Sequence, residues 1–173
     1  NWKEDWLLVA YYANGTVIVD GSRPDNLVEV GNFDSWLGAD GGFPGVWGTY
    51  PWLPSGKVLS SDRNSGLYVF VPNYVRACFL EGAVVDSITG LPLSDALVNL
   101  ESDEIVLPIT TTLTGLFKTG KAVPGQYNVT ISKDGYYPKT LTLDFVNGEV
   151  LTPLVELALI PIFTVSGNVL YSE

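Results

Sequence analysis

Histidine and methionine are both absent from the 173 residues, and cysteine occurs once. Without histidine the commonest general base and neutral metal ligand is missing, so no Ser-His, Cys-His or histidine-zinc site can be built. The lone Cys78 cannot close an internal disulfide; between Ala77 and Phe79-Leu80 it reads as a buried thiol acting as a small hydrophobe. The lack of methionine, even at position 1, implies a processed or excised piece of a longer product. Basic residues are scarce, nine against nineteen acidic, and the resulting net charge of −10 argues against nucleic acid or anionic lipid as a partner. Long apolar runs are missing too. The most apolar stretch, 150–165, is interrupted by Pro153, Glu156 and Pro161, which a membrane-spanning helix would not favour. No secretory signal opens the sequence, so any signal or anchor is expected outside it.

What remains is a chain able to bury a core, with 46% hydrophobic and only 16% charged residues. Its apolar residues alternate: Tyr127, Val129 and Ile131 fall on one side with Asn128, Thr130 and Ser132 on the other, and Leu141, Leu143 and Phe145 repeat the pattern. Eighteen glycines and eleven prolines punctuate these runs, and no segment carries a 3.6-residue apolar stripe, so the chain reads as all-β. All five tryptophans (Trp2, Trp6, Trp36, Trp47, Trp52) lie in the first third. That asymmetry predicts two domains, with a seam near Pro72-Asn73-Tyr74 where proline ends a strand. The expected division is 1–74, 75–163, and a last segment 164–173.

An internal repeat organises the first domain. LLVAYYANGTVIVD at 7–20 aligns without gaps on VLSSDRNSGLYVFV at 58–71, an offset of 51, each copy reading strand, turn, strand. The shared Gly15 and Gly66 stand where a tight hairpin needs positive φ. Repeats of this period point to a propeller or another stacked array. TVIVD at 16–20, RPDNLVEVG at 23–31 and GVWGTYPWLPSG at 45–56 resemble the LVIVD-repeat β-propeller of bacterial choice-of-anchor B surface proteins. The resemblance implies terminal propeller blades on an extracellular or outer-membrane-associated protein, with further blades beyond this chain.

The second half carries an independent match. EGAVVDSITGLPLSDALVNL at 81–100, then TGLF at 114–117, VPGQYNV at 123–129 and KDGY at 133–136, resemble carboxypeptidase regulatory-like domains. The resemblance implies a transthyretin-like or prealbumin-like β-sandwich acting as a non-catalytic spacer. The residues agree: Asp86 and Thr89-Gly90 make a polar turn, Pro92 fixes its exit, and Ala96, Val98 and Leu100 line one face of the next strand. SGNVL at 166–170 echoes EGAVV at 81–85, so the end is either a final strand or the start of a second sandwich.

Several residues invite chemistry. Asp62 and Asn64 before Gly66 resemble the first half of a calcium loop, yet position twelve is Asn73 where a bidentate Glu is needed, and the repeat mate of Asp62 is Tyr11. An ordinary hairpin is preferred. Asp34, Asp40 and Gly41-Gly42 form an acidic loop that could meet a ligand or calcium, a surface connection being the simpler reading. Trp36, Trp47 and Trp52 could stack on a surface glycan, although packing in the core accounts for most such rings. Glu101, Asp103 and Glu104 read as a solvated loop. Asp86-Ser87-Ile88 resembles a Bacteroidetes O-glycosylation site at Ser87, and Asn14-Gly15-Thr16 and Asn128-Val129-Thr130 are sequons. No residue is assigned catalysis and no cofactor is expected. The function read from sequence is a structural or binding module at the cell surface, with a protein partner or the rest of its polypeptide covering the blade edges. The alternatives are a subunit of a surface fibre completed by strand pairing and a glycan-active enzyme using Asp34, Asp40 or Asp62.

Overall fold

A computed structural model of the chain describes residues 2–39, 42–101, 108–163 and 166–167. Among these residues every regular element is a strand. The first four, β1 (Trp2–Lys3), β2 (Trp6–Ala10), β3 (Thr16–Asp20) and β4 (Val28–Phe33), form an antiparallel meander in chain order. The next three, β5 (Val46–Tyr50), β6 (Val58–Asp62) and β7 (Gly66–Phe70), form a second meander. The two repeat copies are therefore the hairpins β2–β3 and β6–β7. Gly15 and Gly66 close them at φ 77° and 93°, a region that costs a side chain but not glycine. The register that sets Leu7 on Val58 sets Val28 on Phe79, which belongs to a later sheet, so the second meander has no counterpart of β4.

The two meanders stack. Trp6 and Leu8 of β2 meet Val58 of β6, with Ile18, Phe70 and Tyr74 around them, and the Thr16 hydroxyl donates to Ser60 Oγ at 2.7 Å between the sheets. Strand pairing sets which residues face inward: Trp6, Leu8, Thr16, Ile18 and Asp20 share one face of the first sheet, and Val58, Ser60, Tyr68 and Phe70 share one face of the second. The described residues contain no closed ring of sheets.

Beyond residue 77 the chain builds a sandwich. β8 (Cys78–Asp86) is central to one sheet, flanked by β11 (Leu116–Lys121) on one side and, in parallel, by β14 (Val150–Leu151) and β15 (Leu154–Leu157) on the other. The opposing sheet runs β10 (Ile109–Thr110), β9 (Leu97–Leu100), β12 (Gly125–Ser132), β13 (Lys139–Phe145). Between them lie Leu80, Val84, Phe117, Val155 and Leu157 from the first sheet and Val98, Leu100, Val129, Ile131 and Phe145 from the second, all buried. The alternation seen in the sequence at 96–100 and 127–131 is this inward-facing set. Burying such a core on both inner faces is what stabilises an aligned sandwich.

Candidate functional site

Three aspartates end strands, and each turns its carboxylate back on the chain that follows. Asp86 closes β8: its Oδ1 accepts the N–H groups of Ile88 (2.9 Å) and Thr89 (2.8 Å), while Oδ2 accepts the Tyr136 hydroxyl at 3.0 Å. The Thr89 and Ile88 N–H groups hold its carboxyl below the usual range. Asp62 closes β6: Oδ1 accepts the N–H groups of Asn64 and Ser65, both at 2.7 Å, and Oδ2 accepts the Ser35 hydroxyl. Burial pushes Asp62 upward, but these hydrogen bonds outweigh it and the carboxyl lies below its ordinary value. Asn64 Oδ1 meanwhile accepts the Gly45 N–H at 3.0 Å. The oxygens that a calcium ion would need are thus engaged in fixing a hairpin. Among the described residues no group of three or more Cys, Asp or Glu converges as a metal site would require.

Asp20, which closes β3, is fully buried and reaches the connecting segment that leads into the sandwich. Its Oδ1 accepts from the Ser22 N–H and from Arg76 Nη1, both at 2.9 Å, and its Oδ2 accepts the Ala77 N–H at 2.9 Å. Burial would raise its pKa; the Ser22, Ala77 and Arg76 hydrogen bonds prevail and lower it. Arg76 extends the network to Asp5 at 2.8 Å and lies 4.4 Å from the centre of the Trp6 ring, which also stacks on Tyr74 at 5.0 Å. A second bridge lies nearby. Arg23 forks onto both oxygens of Glu81, and Asn26 Nδ2 donates to Glu81 Oε1 and to the Thr119 carbonyl. The Arg23 guanidinium holds Glu81 below its usual range, ahead of the opposing effect of burial. Val28 then packs on Ala77 and Phe79, and a Cβ at Gly120 would stand 2.6 Å from Val28 Cγ2, so that position must be glycine for the approach to occur. Residues 71–77 between the modules carry no strand, yet the seam around them is hydrogen-bonded, ion-paired and apolar at once.

The aromatic residues singled out in the sequence go to three places. Trp36 folds onto its own loop, its ring over Gly38 and its Nε1 donating to the Ala39 carbonyl at 3.1 Å, while its N–H donates to Asp34 Oδ1. Trp47 is 60% exposed, with Arg63 4.9 Å from its centre and Tyr12 at its edge; Tyr12 in turn meets Phe43 at 5.1 Å. Trp52 is 47% exposed and meets only Tyr50 among the aromatic rings described. Core and inter-blade packing, expected for most of the rings between 36 and 52, does not cover Phe43, Trp47, Tyr50 or Trp52, each about half exposed or more; Trp6 is the one buried tryptophan. Ser87 is exposed beside an 84%-exposed Ile88, its N–H held by the Leu157 carbonyl. Asn14 is exposed at its hairpin tip; Asn128 is exposed on β12, bonded to Glu101 and Thr142. Asp40, Asp103, Glu104 and most of 164–173 lie outside the described residues.

β14 and β15 add to β8 in parallel, and the Asp86 turn closes that strand. Residues 80–158 match the Carboxypeptidase regulatory-like domain. The match spans a little under half of the chain and leaves the two meanders outside it. No curated protein matches the sequence. Among solved structures, a minor pilin of the Gram-positive pathogen Streptococcus agalactiae is 16% identical over 69% of this chain and 66% of its own, with a TM-score of 0.40. A 3-chlorocatechol 1,2-dioxygenase from Rhodococcus opacus is 15% identical over 51% of this chain and 62% of its own, at 0.42. The group B streptococcus pilus 2b backbone protein is 13% identical over 92% of this chain and 72% of its own, at 0.41. The chain spans just under two thirds of the length of the first two. At these scores the likeness carries neither fold nor function across. Among the described residues no helix is long and apolar enough to cross a membrane.

The seam residues escaped sequence reasoning. Asp20 had a signal: pairing with Trp6 puts it on the inward face of TVIVD, where an acid needs a partner. Arg76, 56 residues away, had none.

Proposed function

We propose that the chain is a non-catalytic structural and binding module of a larger bacterial protein exposed at the cell surface. Residues 1–74 are read as terminal LVIVD-type propeller blades presenting an interaction face, 75–163 as the regulatory-like sandwich that holds them at a fixed attitude, and 164–173 as a final strand or the opening of another sandwich. Support for the blades comes from the two stacked meanders repeated at a constant offset. The observation that carries the spacer reading is the seam: a fully buried Asp20 shared by Ser22, Arg76 and Ala77, reinforced by the Arg23–Glu81 fork. A linker meant to let two modules swing has no use for a buried, fully engaged carboxylate.

Small-angle scattering and NMR relaxation on the 173-residue chain test it. A single rigid particle with one tumbling time is expected, splitting into two when Asp20→Ala and Arg23→Ala are combined. Independent tumbling of the modules in the unaltered chain sinks the spacer reading.

The exposure of Trp47 and Trp52 favours a second reading, contact with a surface glycan. Blue-shifted tryptophan emission on titration with a glycan panel, lost in Trp47→Ala, supports it; an unchanged spectrum across the panel removes it.

A further inference from the structure

The repeat says what the outer face of the second meander is for. Strand pairing places Tyr50, Leu59 and Val69 in one row of that face and Ser61 and Leu67 in the next. Leu67 is 62% exposed, Val69 55% and Val71, just past the strand, 80%, so the face is apolar and open. The same register that aligns Gly15 with Gly66 maps Leu59, Leu67 and Val69 onto Leu8, Thr16 and Ile18 of the first meander. With Trp6, whose repeat mate is Lys57, those three are the residues with which the first meander packs on the second. The open face is therefore the repeat equivalent of a face already used as an interface inside the molecule.

The complement is present as well. Within the chain, the first meander's inward face meets Val58, Ser60, Tyr68 and Phe70, and the register maps these onto Leu7, Val9, Val17 and Val19. These lie on the outer face of the first meander, Val17 buried and the other three half-buried. One chain thus carries both halves of a second, equivalent interface, one on each side of the stack.

We infer that the outer face of the second meander docks the outer face of the first meander of another copy of this chain, head to tail. The internal pair Leu8–Val58 then has its equivalent in Leu59 against Leu7 of a second copy. The polar pair Thr16–Ser60 is replaced by Leu67 against Val9, an exchange of a hydrogen bond for apolar contact. Exposed Lys57 stands on the first of these surfaces and Glu29, opposite Val19, on the other, so the local charges are of opposite sign. Because the contact joins different faces, it repeats head to tail and gives a ring or an open array rather than a two-fold dimer. The net charge of −10 opposes association over long range, so added salt strengthens it. The inference goes beyond the spacer reading and departs from it at one point, since in a propeller other blades of the same polypeptide would cover both faces.

Sedimentation velocity at rising protein and salt concentration tests it on the 173-residue chain. The expected result is a growing series of oligomers, weakened about tenfold by Leu67→Lys, the scale of one buried aliphatic side chain. Leu67 is exposed, so far-UV circular dichroism should be unchanged. As a second arm, Leu67→Cys and Val9→Cys chains mixed under mild oxidation should form a mixed disulfide dimer, with Cys78 buried and inert. A chain that stays monomeric at every concentration overturns the inference and leaves the blade reading standing. Oligomers indifferent to Leu67→Lys and lacking the mixed disulfide overturn it as well. The scattering and relaxation test of the seam, made at a dilution where the chain is monomeric by sedimentation, fails or succeeds independently of either result.

Discussion

The two halves of the molecule are both built from antiparallel hairpins, but they bury their apolar residues in different ways. The sandwich closes over a contiguous core that reaches from Cys78 through Phe117 and Ile131 to Leu157. The stacked meanders centre on a small buried cluster of Trp6, Leu8 and Val58, with Val17 and Val46 buried apart from it, leave Leu67, Val69 and Val71 open, and lean on the sandwich side through Val28, Asp20 and Arg23. This difference predicts that the sandwich stands without the meanders and that the meanders depend on what they touch. Since all five tryptophans belong to the meanders, indole fluorescence reports the dependent half and circular dichroism reports both.

That asymmetry can be broken most forcefully from the sandwich side. Phe145→Ala removes a ring buried against Tyr127 in the heart of the core and should lower sandwich stability by about 3 to 5 kcal/mol. Dependence predicts that the fluorescence transition falls with it in thermal unfolding, although Phe145 touches no tryptophan. A fluorescence transition that stays put while circular dichroism shifts means the meanders stand alone.

Asp20→Ala is the reciprocal probe. It strands the Ala77 N–H and takes the buried carboxylate from Arg76, which keeps Asp5 and is partly exposed, so a loss of about 3 kcal/mol is expected. Here only the fluorescence transition should move, with the sandwich transition within experimental error of the parent.

Acid should separate the halves in the same order. Asp20, Asp62 and Glu81 all have folded pKa values lowered from their ordinary 3.8 or 4.5, and they serve the meanders and the seam; in the sandwich, Asp86 does the same. A depressed carboxyl contributes stability that is present above its unfolded value and is lost as pH falls through its folded value. Unfolding should therefore begin below about pH 4 and show first in indole emission. Coincident acid transitions by both probes contradict the division of roles.

A smaller effect is expected at the Arg23–Glu81 fork. The Arg23 side chain is 39% exposed, so despite two-point geometry a double-mutant cycle with Arg23→Ala and Glu81→Ala should give only a small coupling, reduced by salt. A coupling near zero would leave Asp20 and the apolar contacts as the whole of the seam.

The same asymmetry governed what could be read from the sequence. Within the sandwich, contacts follow strand alternation, so Ala96, Val98 and Leu100 on one strand and Val129 and Ile131 on the next announce their burial by spacing alone. The glycines at 15 and 66 announce their hairpins through the one conformation that needs them. The seam obeys no period. Asp20 and Arg76, Arg23 and Glu81, Val28 and Gly120 meet because two modules dock, and docking depends on three-dimensional placement that neither strand pattern encodes. For the same reason the fate of the tryptophans was illegible: an indole looks alike in sequence whether its sheet is covered or open.

The finest test of the seam concerns a single atom. Tyr74 stacks its ring on Trp6, yet its hydroxyl oxygen is buried with no hydrogen-bond partner among the described residues, and burial pushes its pKa up, with Glu4 adding to the shift. A hydroxyl removed from water and given nothing in return opposes folding by about 1 kcal/mol, whereas the ring beneath it contributes apolar contact. Tyr74→Phe keeps the stack and discards the hydroxyl, so the fluorescence transition should rise by up to that amount in urea unfolding with an unchanged slope. A fall instead would mean that an ordered water satisfies the hydroxyl, and that the seam is held by one more polar link than its protein atoms supply.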